Sequence, residues 1–160
     1  MEKRVARYAL LVALAMVLSW LESMIPLPGL LPGMKVGLPN LVVVFALYRM
    51  SLRDAAGISL VRVALVSFTF GNAYSFAYSL AGALLSLAVM AGLKKWDRFS
   101  IAGVSIAGGV CHNLAQLLVA MAVMGTVKLG WYLPGLLVSG TAAGAAIGAA
   151  GGLVTERVRI

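Results

Sequence analysis

The sequence predicts an all-α integral membrane protein: one transmembrane domain over residues 1–160, with six transmembrane helices and both termini in the cytoplasm. Composition points there first. Of its residues 62% are hydrophobic and 11% charged, with a mean hydropathy of +1.00, more apolar surface than a soluble chain of this size can bury. Long apolar runs point the same way, because about 20 helical residues cross a hydrocarbon core of ~30 Å. The third ground is the order of the charges, which punctuate those runs instead of forming one basic face. The net charge of +8 therefore reads as membrane topology, and nucleic acid is not an expected partner.

The runs place spans at 8–25, 38–50, 52–70, 74–93, 101–124 and 132–154. The first is preceded by basic residues as a signal peptide would be, but it carries Trp20 and Glu22 and lacks a small-residue cleavage pattern, so it is expected to stay as a helix. The second is short for a crossing and opens at Pro39, a residue suited to a first helical turn, so it is expected to be tilted or re-entrant. Between them, residues 26–37 (PLPGLLPGMKVG) are rich in turn formers and read equally as a lid or a plain connection.

Lys and Arg accumulate in short cytoplasmic loops. Lys3, Arg4, Arg7, Arg49, Arg53, Lys94, Lys95, Arg98, Arg157 and Arg159 all fall on one side of this topology. Lys35 and Lys128 fall on the other, and Arg62 lies inside the run AAGISLVRVALVSFTF at 55–70. At ~1.5 Å of rise per residue, Glu22, Asn40, Asn72, Tyr74, His112, Asn113 and Gln116 gather in the outer half, while the inner half has almost no uncommon polar group. Polar side chains converging among apolar helices describe a ligand pocket open to the outside.

An intramembrane arginine costs several kcal/mol unless it faces protein or a watery cavity. Arg62 has two candidate partners: Glu22, the one acidic residue in the outer half of a span, or an anionic ligand gripped by the guanidinium fork. Lys35 would draw anions to the mouth. His112, Asn113 and Gln116 share one helical face, and paired amides suit a heteroaromatic ring or a polyol; the alternative is hydrogen bonding between helices. His112 has no second histidine or nearby carboxylate in sequence, so no metal site is expected. Tyr74 and Tyr78 are placed to stack on a ligand, whereas Trp20, Trp131 and Tyr132 fit an interfacial belt. Small residues recur at Ala9 and Ala13, and at Gly140, Gly144, Gly148 and Gly152, ridges that suit either packing within the chain or contact with another subunit.

Cys111 is the only cysteine, which excludes a disulfide within the chain, and it reads as a small core residue. There is no Walker loop and no serine-nucleophile motif, and Asp54 and Asp97 are the only aspartates. Magnesium-dependent diphosphate chemistry relies on clustered carboxylates, so no catalytic residues are assigned and an enzyme is not expected.

The runs LESMIPLP at 21–28, PGMKVGLPN at 32–40 and HNLAQ at 112–116, followed by YLP at 132–134, resemble the Gx transporter family, also labelled heptaprenyl diphosphate synthase component I. The resemblance covers nearly the whole chain. It implies similarity to the S components of energy-coupling factor vitamin transporters: a six-helix bundle in a prokaryotic cytoplasmic membrane with a site near the outer surface. Some relatives accompany Rnf complexes and are proposed to move flavins for flavinylation outside the cytoplasm. The resemblance therefore implies a transported flavin (riboflavin, FMN or FAD) and no catalytic cofactor. Asn40, Asn72, Asn113 and Gln116 would address its ring and polyol, Tyr74 or Tyr78 would stack, and Arg62 with Lys35 would neutralise phosphate. Ala9 and Ala13 would match the face that meets a coupling subunit, with the ATPases as separate chains; a homodimer through the glycine ridge is the other partner. The sequence departs from many relatives in carrying Pro39 instead of a small residue. Another vitamin, an isoprenoid precursor, or a membrane anchor that transports nothing are the rival functions.

Overall fold

Three of the α-helices begin where a polar side chain takes up a backbone N–H group that a first turn leaves unpaired. A computed structural model of the chain describes residues 2–25 and 37–158, with Lys3 through its backbone alone. Among the described residues there are six α-helices, a short 3₁₀ helix at Val127–Tyr132, and no strand. They are α1 (Glu2–Met24), α2 (Asn40–Arg49), α3 (Leu52–Phe70), α4 (Ala73–Trp96), α5 (Ile101–Met124) and α6 (Leu133–Arg157). Ser51 caps α3 by accepting from Asp54 N at 3.1 Å, and Ser100 caps α5 by accepting from Gly103 N at 3.2 Å. Asn72 and Ser75 form a reciprocal capping box at the start of α4, both bonds 2.8 Å. Gly125, at φ +61°, ends α5 in the left-handed conformation that glycine adopts without strain.

Four helical stretches are long and apolar enough to cross a membrane: 4–24, 73–96, 101–124 and 127–157. The chain is a multi-pass membrane protein. The remaining two helices differ from the expected crossings for physical reasons. Helix α3 has 19 residues, roughly 28 Å of rise, but carries Arg53, Asp54 and Arg62. Helix α2 has only 10 residues, roughly 15 Å or about half the hydrocarbon thickness. It survives at that length because protein surrounds it: Val42, Val43, Val44, Phe45, Ala46 and Leu47 are all buried, which is why its sequence shows no amphipathic period.

Neighbouring contacts run α1 to α3, α3 to α4, α4 to α5 and α5 to α6, and α2 closes the set against α6, α3 and α1. The α5–α6 seam is the tightest. A Cβ placed on Gly144 would lie 2.6 Å from Ile106 Cα, one on Gly148 2.6 Å from Ala102 Cα, and one on Gly140 2.9 Å from Gly109 O. These three glycines are therefore spent on backbone contact inside the chain, the first of the two roles that the ridge suited; Gly152 alone of the ridge faces open space.

At the basic end, cations tie down helix termini. Arg49 Nε donates to Thr155 O at 2.7 Å, and its Nη2 donates to the same carbonyl. The Lys94 ammonium donates to Leu47 O and sits 5.1 Å from the centre of the Tyr48 ring. Both cations meet the negative ends of helix dipoles, and Arg4 pairs with Asp54 at 2.8 Å. The buried core, including Ala15, Val43, Leu47, Ile58, Leu87 and Val104, lies just above them.

Candidate functional site

A cavity of about 480 Å³ opens among all six helices, within the range of small-molecule sites. Helix α1 contributes Ser19, Glu22 and Ser23, and α2 contributes Asn40 and Val44; α3 presents Arg62, Ser67 and Phe70. Helix α4 lines it with Ser75, Ser79, Ser86 and Met90, and α5 with Ser105, Gly108, His112, Asn113 and Gln116. Ala143, Gly144 and Ile147 close the α6 side.

Helix geometry explains that selection. Ser75, Ser79, Gly82, Ser86 and Met90 recur every three or four residues and so form one face of α4. The same spacing links Ser105, Gly108, Gly109, His112, Asn113 and Gln116 on α5. The α5 face was legible in sequence from His112 outward, but its inward continuation through Ser105 was not. The cavity accordingly reaches deeper than the outer half in which the polar groups were expected. The missed signal was the serine spacing, weak because single serines are ordinary in apolar helices.

Arg62 is the most consequential side chain. Its Nε is sealed from solvent and finds no hydrogen-bond partner among the described residues. Glu22 also lines the cavity and acts on Arg62 electrostatically, yet the one ion pair among the described residues is Arg4–Asp54, so the two are not in contact. Glu22 instead accepts from Gly37 N, tying the start of the α2 segment to the end of α1. Gly37 holds φ +80° there, a conformation open to glycine.

Asn113 is buried and donates through Nδ2 to Leu136 O at 2.9 Å and Ser139 Oγ at 3.2 Å. A carbonyl only accepts, so the amide nitrogen faces α6 and the amide oxygen is left for the cavity. Both sequence readings of Asn113, glue between helices and cavity lining, thus hold at once. The His112 ring lies over Gly82, where an added Cβ would come within 2.7–2.9 Å of three ring atoms; glycine at 82 makes room for the imidazole. Gln116 and Asn40 also line the cavity.

Other predicted site residues lie elsewhere. Asn72 is exposed and engaged in capping α4. Tyr74 is 65% exposed and Tyr78 half-buried, and neither lines the cavity. The spacing of Asn72 and Ser75 was the available sign of a helix cap. Lys35 lies outside the described residues. Ala9 and Ala13 are exposed on α1, and Cys111 is a half-buried free thiol. Among the described residues no three of His, Cys, Asp and Glu are grouped to hold a metal. Trp131, 89% exposed, and Phe68, 86% exposed, stand at the mouth end.

A family model described as heptaprenyl diphosphate synthase component I matches residues 11–154. Neither the curated proteins nor the solved structures contain a match to the chain.

Proposed function

The chain belongs to the heptaprenyl diphosphate synthase component I family, and we propose that it acts as a substrate-binding membrane transporter resembling the S components of energy-coupling factor systems, with a flavin as its ligand. One observation carries this: a 480 Å³ cavity inside a bundle of apolar helices, lined by an arginine whose Nε is sealed from solvent with no hydrogen-bond partner among the described residues. A purely structural bundle gains nothing from such a group, whose isolation costs free energy that a bound anion would offset. The amides of Asn40, Asn113 and Gln116 supply donors and acceptors for the polar groups of such a ligand. Asn72 and Tyr74 drop out of the binding set.

Basic residues gathered at one end, among them Arg4, Arg49, Arg53, Lys94, Lys95 and Arg98, support a cytoplasmic assignment of that end and an outside position for the mouth beside Glu22 and Phe70, in the cytoplasmic membrane of a prokaryote. The exposed α1 face with Ala9 and Ala13 offers a docking surface for a coupling subunit, and the energy would come from separate ATPases. The chain acts as a carrier in this reading, and the scarcity of aspartates in its sequence, Asp54 and Asp97 alone, favours that over a synthase. A second ligand has its own support: the inner cavity wall of Val44, Met90 and Ile147 is apolar, and the family description names a prenyl diphosphate, so an isoprenoid diphosphate is the rival cargo.

The test is an absorbance spectrum and mass analysis of gently purified protein, followed by titration with riboflavin, FMN and FAD. Stoichiometric flavin, or binding of added flavin, supports the assignment. A colourless preparation that binds none of the three removes it.

A further inference from the structure

We propose that Arg62, Ser79 and His112 form an anion-binding belt that divides the cavity into two chambers, and that the ligand is a phosphate-bearing amphiphile whose phosphate rests on the belt while its apolar end occupies the inner chamber. This deepens the transporter reading and rests on the cavity being the substrate site.

The belt follows from the helical register. Only Gly71 and Asn72 separate α3 from α4, so Phe70 and Ala73 stand at one level. Counting ~1.5 Å per residue from there, Arg62 lies roughly 12 Å down, Ser79 roughly 9 Å and Gly82 roughly 13 Å. Gly82 carries the His112 ring against it, which brings α5 to the same depth. A guanidinium, a hydroxyl and an imidazole from three helices thus meet one cavity at one height. That donor set suits phosphate oxygens.

The two chambers differ chemically. Outside the belt lie the polar Glu22, Ser67, Ser75 and Gln116 beside the apolar Ile25, Val66 and Phe70, while Asn40, counted from the α2–α3 turn, stands at about the height of the belt. Inside it the wall is Val44, Met90, Ile147 and Gly108, relieved by the hydroxyls of Ser86 and Ser105. Met90 is eleven residues beyond Ser79 on the same face, so the inner chamber runs roughly 16 Å below that serine. A neutral polar vitamin leaves both Arg62 and the apolar wall unmatched. An amphiphile with its phosphate at the belt satisfies both, the phosphate neutralising Arg62 and the apolar end covering the wall. Glu22, above the belt, disfavours the same phosphate resting in the outer chamber.

The experiment compares FMN with riboflavin, which differ by the phosphate, on the full chain in detergent. Wild type should bind FMN at least tenfold tighter. Arg62→Gln should remove that preference and leave riboflavin affinity within about threefold, and Ser86→Leu, which fills the inner chamber, should weaken both at least tenfold. An FMN preference unchanged in Arg62→Gln, or wild-type binding by folded Ser86→Leu, overturns the proposal. Should Ser86→Leu fail to fold, Ser86→Cys in a Cys111→Ala background reads the chamber: bound FMN must protect the introduced thiol from a small methanethiosulfonate, and full labelling overturns the proposal. If wild type binds no flavin, the flavin assignment falls separately. Isopentenyl diphosphate and inorganic diphosphate then serve as probes. Thermal stabilisation by the former that is lost in Arg62→Gln upholds the belt, whereas stabilisation by inorganic diphosphate alone, or by neither, overturns the amphiphile.

Discussion

Substituting Gly144 with alanine should loosen the molecule, whereas the same change at Gly152 should tighten it. At Gly144 the new Cβ would sit 2.6 Å from Ile106 Cα, 2.7 Å from Ser105 O and 3.0 Å from Ile106 N. Ordinary contact begins near 3.4 Å, so the shortfall is 0.4–0.8 Å against backbone atoms, which cannot rotate aside. The helices must separate, at about 1–3 kcal/mol typical of overpacking, and the separation also loosens the contacts at Gly140 and Gly148. At Gly152 nothing lies within 4 Å. Both variants gain the same ~0.5–1 kcal/mol from replacing glycine inside a helix, so that contribution cancels in the comparison. The gap between them, about 1–3 kcal/mol, isolates the seam. For a chain of this size it corresponds to several degrees, at roughly 2–4 °C per kcal/mol. Tryptophan-fluorescence melting in one detergent measures it, with the mass of the complex determined in parallel. Equal midpoints would refute the α5–α6 contact. A change from dimer to monomer without loss of stability would turn the ridge outward, toward a second copy.

Gly82→Ala should displace the His112 ring and lower ligand affinity at least tenfold with little change in melting; an unchanged titration would detach His112 from the site. Asn113→Ala removes two bonds to α6 and should cost about 1–2 kcal/mol, read as a lower melting midpoint than that of Gln116→Ala. Arg49→Gln releases the α6 carbonyl at Thr155 and should speed protease cleavage near residue 157; equal rates would mean that the contact contributes nothing. For orientation, Lys128→Cys and Lys95→Cys in a Cys111→Ala background should react oppositely with an impermeant maleimide on whole cells, the first labelling and the second only after permeabilisation. The reverse pattern inverts the topology.

Hydropathy and charge order located the helices closely because both are properties of long runs: α3 and α5 have the bounds that the apolar stretches suggest. Residues whose role depends on a neighbour were harder. Asn72 looks like a ligand group when read by type and depth, yet it is a cap, because Ser75 three residues later supplies the reciprocal bond. Gly140, Gly144 and Gly148 form a ridge on any helical wheel, but only the position of Ile106 and Gly109 shows which helix fills it. The same limit applied to Arg62. Its sequence position announced a charge within the membrane, while only the structure shows Glu22 taking the Gly37 N–H and forming no ion pair with Arg62 among the described residues.

The deeper half of the cavity shows why side chains of low individual weight matter in such a protein. An apolar helix can carry a serine almost anywhere, since the hydroxyl can bond back to its own turn, as Ser19 does to Ala15 O at 2.8 Å and Ser23 to Trp20 O at 2.6 Å. A single serine therefore signals nothing. Four small positions at helical spacing on α4 and three on α5, Ser105, Gly108 and Gly109, mean more, because they set two backbones apart by the width of small side chains along a continuous line. Helix α2 completes the effect: with only ten residues it ends at the height of the cavity, so Pro39 and Asn40 line the space instead of carrying a helix through it. The void is thus a product of what is small on α4 and α5 and short in α2. The arginine that enters it from α3 gives that void a sign, and so a preference among ligands.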